Sequence, residues 1–441
     1  MYSVATIKFN VQHSTMSPVL PSDIIIQIID LLGENKETAI LKELALVSHS
    51  FLQFCSKHLF ATIELHSSYS SSKRGFVKLI KSRPDVVNYI RKLTYNFGDK
   101  YFPFPLSNDD SLFPPIADDV RLLSSILPNL LRSIPNLNCL KITASMSDWK
   151  KLDSSLTSAL LHLMHLPTIN RIDLSYIDNF PMSSLIPCFN LLRLDVSCLR
   201  YFYTHEFDGD TLDIVQSEVM PKLREFHTSG SDVLTRKLLQ AITQDRRPAF
   251  NPSNLRRLSL FADQFEEDTS NIRYLLQNAN LLEELRLPNG LGSSIVGLYD
   301  ILSPIARTLK VLYLTTPFHC VSPLWPPIRL CEELEAMAGH NVLEDLTYTI
   351  DVGGYETEDE IGPIIQKVGE VLIKPGWSAL KQVTFKVEIA YCLAPKGVRK
   401  KLSEELQSLP DKYLSHLSKQ LEFNYSAYVV KFKCVYDYDR D

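Results

Sequence analysis

One spacing constrains this chain more than any other feature: an apolar residue, two others, an apolar residue, one other, and a third apolar residue. It occurs as LNCLKI (137–142), INRIDL (169–174), LLRLDV (191–196), LREFHT (223–228) and LRRLSL (255–260). It continues as LEELRL (282–287), LKVLYL (309–314), LEDLTY (343–348) and LKQVTF (380–385), with two earlier candidates in FATIEL (60–65) and IRKLTY (90–95). Starts are 22 to 47 residues apart, most between 27 and 37. A single hexamer carries little information, but repetition at this interval marks a chain of stacked units. The last four residues of each hexamer alternate, as a strand with one buried face must. Helix-like stretches precede several of them, such as DDVRLLSSILPNLLRSIP, TSALLHLMHLP, DVLTRKLLQAIT, NIRYLLQNANLL and YDILSPIARTL. Each unit reads as helix, short loop and short strand. Such a unit cannot close a core alone, and stacking supplies the missing wall.

These units resemble leucine-rich repeats. The resemblance implies an α/β solenoid spanning 60–390, with parallel strands on a concave side and helices on a convex side. The usual repeat places Asn or Cys three positions after the third apolar residue. Here those positions hold Ser145, Ile177, Leu199, Ser231, Asp263, Gly290, Pro317, Asp351 and Glu388, so the repeats are degenerate. The apolar residues of the hexamers are assigned to the core. Alternate strand positions point to the concave face. By register these include Arg171, Asp173, Arg193, Asp195, Glu225, His227, Arg257, Phe261, Glu284, Arg286, Tyr313, Asp345 and Lys386. A mixture of Arg, acids and aromatics suits a protein or peptide ligand better than a phosphate backbone.

The N-terminal region is different. In LPSDIIIQIIDLL (20–32), seven of the nine residues from Ile24 to Leu32 are apolar. A helix at the edge of a domain normally buries one stripe and wets the rest. Pro21 suits a first turn, and Ser22 and Asp23 place short polar groups at the same end, as caps do. Residues 33–35, GEN, break the run, and ETAILKELALVSHSFLQFCSKHLF reads as a second helix with apolar residues at spacings of three and four. About 45 residues in two or three short helices cannot bury this much on their own.

From about Pro18 to Leu65 the residues resemble an F-box. The pattern Leu-Pro-x-acid-Ile is matched by Leu20, Pro21, Asp23 and Ile24, and its next apolar positions by Ile25, Ile28, Ile29 and Leu32. The later apolar run ending in Leu-Val-Ser is matched by Leu41, Leu44, Leu46, Val47 and Ser48. The wording LVSHSF is especially like fungal F-box proteins. Two positions depart from the pattern: Phe51-Leu52 follows the Val-Ser pair, and Ile29 stands where Phe is common. The resemblance implies a domain at 17–60 that grips a Skp-type adaptor and, through it, a cullin-RING ubiquitin ligase. Leu20, Pro21, Ile24, Ile28, Leu44, Val47 and Phe51 would form the adaptor surface. The chain would then be a substrate-recognition subunit with no catalytic site of its own. The alternative is an interaction scaffold whose N-terminal helices only cap the solenoid.

The remaining features narrow the class. Net charge is −5, with 22% charged and 45% hydrophobic residues among 441, which gives no basic footprint for nucleic acid. The eight cysteines include no CxxC pair, so a zinc ribbon is not expected. His162 and His165 lie three apart, but no third ligand follows at a known spacing. No nucleophile elbow, HExxH, P-loop or GxGxxG sequence is present. Neither a catalytic residue, a metal nor a cofactor is therefore expected. Residues 1–16 are expected to form a flexible tail without a secretory signal. No apolar run approaches the ~18 residues of a membrane span, which leaves cytoplasm or nucleus as the expected compartment. Two loops exceed what a unit needs: the aromatic 96–119 and the acidic 351–363. From 391 onward, a basic amphipathic helix and a strand-like end are expected to cap the last unit.

Overall fold

Each of the eleven hexamers supplies one strand, beginning at its third residue. The computed structural model describes residues 21–66, 70–97, 117–185, 187–199, 221–229, 250–260, 269–287, 297–318, 327–352, 358–391, 396–415 and 422–431. The strands are β1 (Thr62–His66), β2 (Lys92–Phe97), β3 (Cys139–Asp148), β4 (Arg171–Asp178), β5 (Arg193–Ser197) and β6 (Glu225–Ser229). They continue as β7 (Arg257–Ser259), β8 (Glu284–Leu287), β9 (Val311–Phe318), β10 (Asp345–Val352), β11 (Gln382–Tyr391) and β12 (Glu422–Lys431). All twelve form one sheet in sequence order, every neighbouring pair parallel and the sheet not closed into a barrel. This arrangement is consistent with a curved solenoid.

The register explains the spacing. Leu93, Leu140, Ile172, Leu194, Phe226, Leu258, Leu285, Leu312, Leu346 and Val383 stack in one buried row across successive strands. Each such side chain contributes about 1.5–3 kcal/mol on leaving water. The hexamer's second residue has a separate task. Its carbonyl accepts two N–H groups from the next unit, as Ala61 does from Arg91 and Lys92, and Glu344 from Lys381 and Gln382. The same pair recurs from β1 to β11 with N···O distances of 2.7–3.1 Å. It pins each strand start and so fixes the register of all that follows.

Helices cover the apolar face. After the first strand the described ones are α4 (Ser70–Ser82), α5 (Ala117–Arg132), α6 (Ser154–Met164), α7 (Thr269–Asn278), α8 (Leu298–Leu302), α9 (Pro327–Met337), α10 (Glu358–Leu372) and α11 (Lys396–Leu409). Phe76, Ile80, Leu131, Leu160, Leu163, Leu275, Leu334, Ile365, Val368 and Leu406 join the strand leucines in one continuous core. The stretch DVLTRKLLQAIT and the loop residues 98–116 lie outside the described residues. So does the tail 1–16. The acidic loop is shorter than expected, because Glu358 already opens α10 and only 353–357 remain undescribed. The expected C-terminal helix and strand are α11 and β12, and β12 adds a further parallel rung against β11. Among the described residues no helix is long and apolar enough to cross a membrane.

Before the sheet come α1 (Ser22–Glu34), α2 (Thr38–Val47) and α3 (His49–Leu59). Three expectations need correction here. The second helix is two, because Ser48 turns extended (φ −156°, ψ 160°) and its Oγ accepts the Phe51 N–H at 3.2 Å, capping α3. Ser22 and Asp23 do not cap α1, whose N-cap is Pro21 with no side-chain bond. Gly33 does not break α1 but lies inside it. A Cβ there would strike the His58 ring, so glycine permits α1 and α3 to cross closely. Asp30 fastens that crossing, meeting Lys57 Nζ at 2.5 Å and His58 Nε2 at 2.8 Å.

Candidate protein-binding surfaces

The three N-terminal helices share a small core of their own. Ile29, Leu41 and Cys55 are buried, with Ile25, Leu32, Leu44, Ala45, Phe54 and Leu59 packed around them. The surplus aliphatics point away from it. Ile24, Ile28 and Leu31 follow one another at helical spacings of four and three along α1 and are exposed. On α2, Ile40 is also exposed, Val47 is 68% exposed and Leu46 is 88% exposed. Exposed aliphatic residues at this density make the two helices a candidate interaction surface. Of the residues expected on the adaptor surface, Pro21, Ile24, Ile28 and Val47 are exposed, while Leu44 and Phe51 are half-buried. Leu20 lies outside the described residues. Leu31, Ile40 and Leu46 belong beside them and were not singled out as site residues. The signal was there in the sequence: too many aliphatics for a three-helix unit.

The junction to the sheet is short. Only Phe60 and Ala61 separate α3 from β1. Ala61 carries the first of the double carbonyl bonds, and Phe60 and Ile63 pack on the sheet core.

The second surface is the face of the sheet that the helices leave open. In-register parallel strands place equivalent side chains about 4.8 Å apart, so like charges on neighbouring rungs repel. The chain meets this on β4–β8 with a continuous ionic ladder. Arg171 grips Asp173 through Nε (2.9 Å) and Nη2 (3.0 Å), and reaches Asp195 on the next strand at 3.1 Å. Arg193 binds Asp195 at 2.8 Å and Glu225 at 2.8 Å. Arg257 meets Glu225 at 3.0 Å and Glu284 at 3.4 Å. Arg286 closes the row, its Nε on Glu284 at 2.7 Å and its guanidinium 4.2 Å from the Tyr313 ring centre. His227 Nε2 stands 4.0 Å from Asp195 and 3.9 Å from Glu225.

Ten of the expected ligand-facing residues thus have definite places. Arg171, Asp173, Arg193, Asp195, Glu225, His227, Arg257, Glu284, Arg286 and Tyr313 form one cluster, and Phe261 lies outside the described residues. Asp345 and Lys386 lie on β10 and β11 and make no ion pair among the described residues. The four arginines balance the four carboxylates. Depth does not balance: the carboxylates are 11–22% exposed and the arginines 34–54%.

Burial pushes the Asp173 carboxyl upward, and the facing Asp195 adds to this against the pull of Arg171. Burial also acts on Asp195, but Arg193 and Asp173 outweigh it and hold that carboxyl below the usual range. Burial lowers the His227 imidazole despite the nearby Asp195. Its Nε2 has no hydrogen-bond partner among the described residues.

Other reactive groups are occupied or muted. His165 Nε2 is bonded to the Ser184 carbonyl at 2.8 Å, and His162 is exposed on α6. Among the described residues no group of His, Cys, Asp and Glu is placed to hold a metal. Burial raises the thiols of Cys55, Cys139, Cys188 and Cys331, the direction opposite to activation. No protein-family model matches the chain, and no curated protein matches it.

Proposed function

We propose that this chain is a substrate-recognition subunit of a Skp–cullin–F-box ubiquitin ligase. In this reading α1–α3 are an F-box that docks a Skp-type adaptor, the stacked units are degenerate leucine-rich repeats, and the open face receives a protein substrate. One observation carries the reading: Ile24, Ile28 and Val47, at F-box positions, are exposed on helices whose inward residues already have a core. A self-capping role for these helices would have them covered by the chain, and no described residue covers them.

Co-purification of the full chain with a recombinant Skp-type adaptor tests the reading directly. Wild type should retain the adaptor, and the Ile24→Asp, Val47→Asp pair should lose it with an unchanged melting profile. Failure of the wild-type chain to bind would favour the scaffold reading. The chain's part in transfer would be proximity: holding a substrate lysine near the ligase raises its effective concentration. Cytoplasm or nucleus is the compartment this role requires.

A further inference from the structure

The ionic ladder has two unlike ends. At β4 it terminates on Asp173, the most buried of its carboxylates. At β8 it terminates on Arg286, which is 48% exposed. Between them every charge is shared by partners on both sides. The buried end is closed by its own Arg171. The exposed end is not.

Arg286 is held as a recognition arginine needs to be held. Glu284 fixes its Nε edge at 2.7 Å, and the Tyr313 ring supports its flat face at 4.2 Å. Its terminal Nη1 and Nη2 take no hydrogen bond among the described residues. Arg257 meets the same Glu284 through its own Nε and gives Nη1 to Glu225, which leaves its Nη2 without a bond among the described residues. Two guanidiniums thus share one carboxylate and keep N–H groups that no described residue accepts. A planar fork with its rotamer fixed loses little entropy on binding a second oxyanion, and it matches a carboxylate in two parallel bonds. Aromatic and arginine side chains are also those in which binding energy concentrates at protein interfaces.

We propose that Arg286, Arg257 and Tyr313 form a carboxylate clamp that anchors an acidic side chain of a protein ligand lying across β7–β9. This rests on the reading of the open face as the ligand-binding one. A carboxylate, rather than a phosphate, is the occupant because four guanidiniums already face four carboxylates, so a carboxylate adds one uncompensated negative charge where a phosphate adds nearly two.

The test is selection of displayed random 12-residue peptides on the full chain, in parallel on wild type, Arg286→Gln and Arg286→Lys. Wild type should enrich sequences with Asp or Glu at one fixed position, and Arg286→Gln should not. For a selected peptide, changing that acid to its amide should weaken binding at least tenfold on wild type and less than twofold on Arg286→Gln. Arg286→Lys should fall between, since a point charge cannot fork. All three proteins should melt alike and hold a Skp-type adaptor equally. A selection that returns no acidic position, or an acid-to-amide loss equal in wild type and Arg286→Gln, overturns the clamp. A phosphoserine peptide binding more than tenfold tighter than its aspartate counterpart overturns the carboxylate assignment. Loss of adaptor binding in wild type, with the acid preference intact, would sink the ligase reading and leave the clamp standing.

Discussion

The two candidate surfaces solve opposite problems. On α1 and α2 the chain leaves aliphatic side chains that no described residue fully covers. On β4–β8 of the open sheet face it pairs each of the four arginines with a carboxylate. A partner on the first surface would gain the free energy of removing Ile24, Ile28, Leu46 and Val47 from water. The second is nearly complete in the isolated chain, so a ligand there must compete with bonds already made. A partner on the helices should therefore bind through apolar burial, and one on the sheet through geometry.

The largest effect should come from the layer beneath both surfaces. Leu285→Ala, inside a row where Leu258 and Leu312 flank it, should cost about 3 kcal/mol in denaturant unfolding. It should disturb the ladder more than the helices. Next, Ile24→Asp with Val47→Asp should weaken a Skp-type adaptor by at least about 2 kcal/mol in calorimetry, roughly 30-fold. That binding should change little between about 0.1 and 1 M salt, whereas the ladder's contribution should fade. Glu225→Gln removes the bridge between Arg193 and Arg257 and should destabilise the chain by about 1 kcal/mol at low salt. Leu46→Ser should shift unfolding by less than about 0.5 kcal/mol while still weakening the adaptor, since the residue touches little in the free chain.

The smallest effect is set by pH. Hydrogen bonds from Lys57 and then His58 hold the Asp30 carboxyl below its ordinary range. A depressed folded-state value means the contribution is present above the unfolded carboxylate value and lost as pH falls through the folded one. Acid titration below pH about 4 should therefore loosen α1 from α3, and Asp30→Asn should remove that step.

Most of the sheet was legible from the chain because every hexamer has a rigid job. The apolar residues at its first, fourth and sixth positions are buried in almost every unit. β12 escaped the pattern for a physical reason. Its register against β11 puts Phe423 and Tyr425 at the fourth and sixth positions, but in the sequence the residue three before Phe423 is Gln420 rather than an apolar one. The break at Ser48 was also hidden, since apolar spacing runs through it while the helix does not. The membership of the ladder could be read from alternation, but its wiring could not. The clue was present in RID and RLD, where Arg and Asp two apart on one strand face the same way. That Arg171 also crosses to Asp195 depends on strand pairing, which no single segment encodes.

The junction at Phe60 and Ala61 has a mechanical consequence. Because it is bonded like every other step of the stack, it behaves as a welded bracket rather than a hinge. Twelve parallel strands span about 50 Å from first to last at the usual spacing. A tilt of only about 10° at the bracket would swing the far end by roughly 9 Å, more than the reach of one side chain. Whatever sits on the helices and whatever sits on the sheet are therefore held at a set distance and bearing, and two glycines inserted after Ala61 would turn that ruler into a tether.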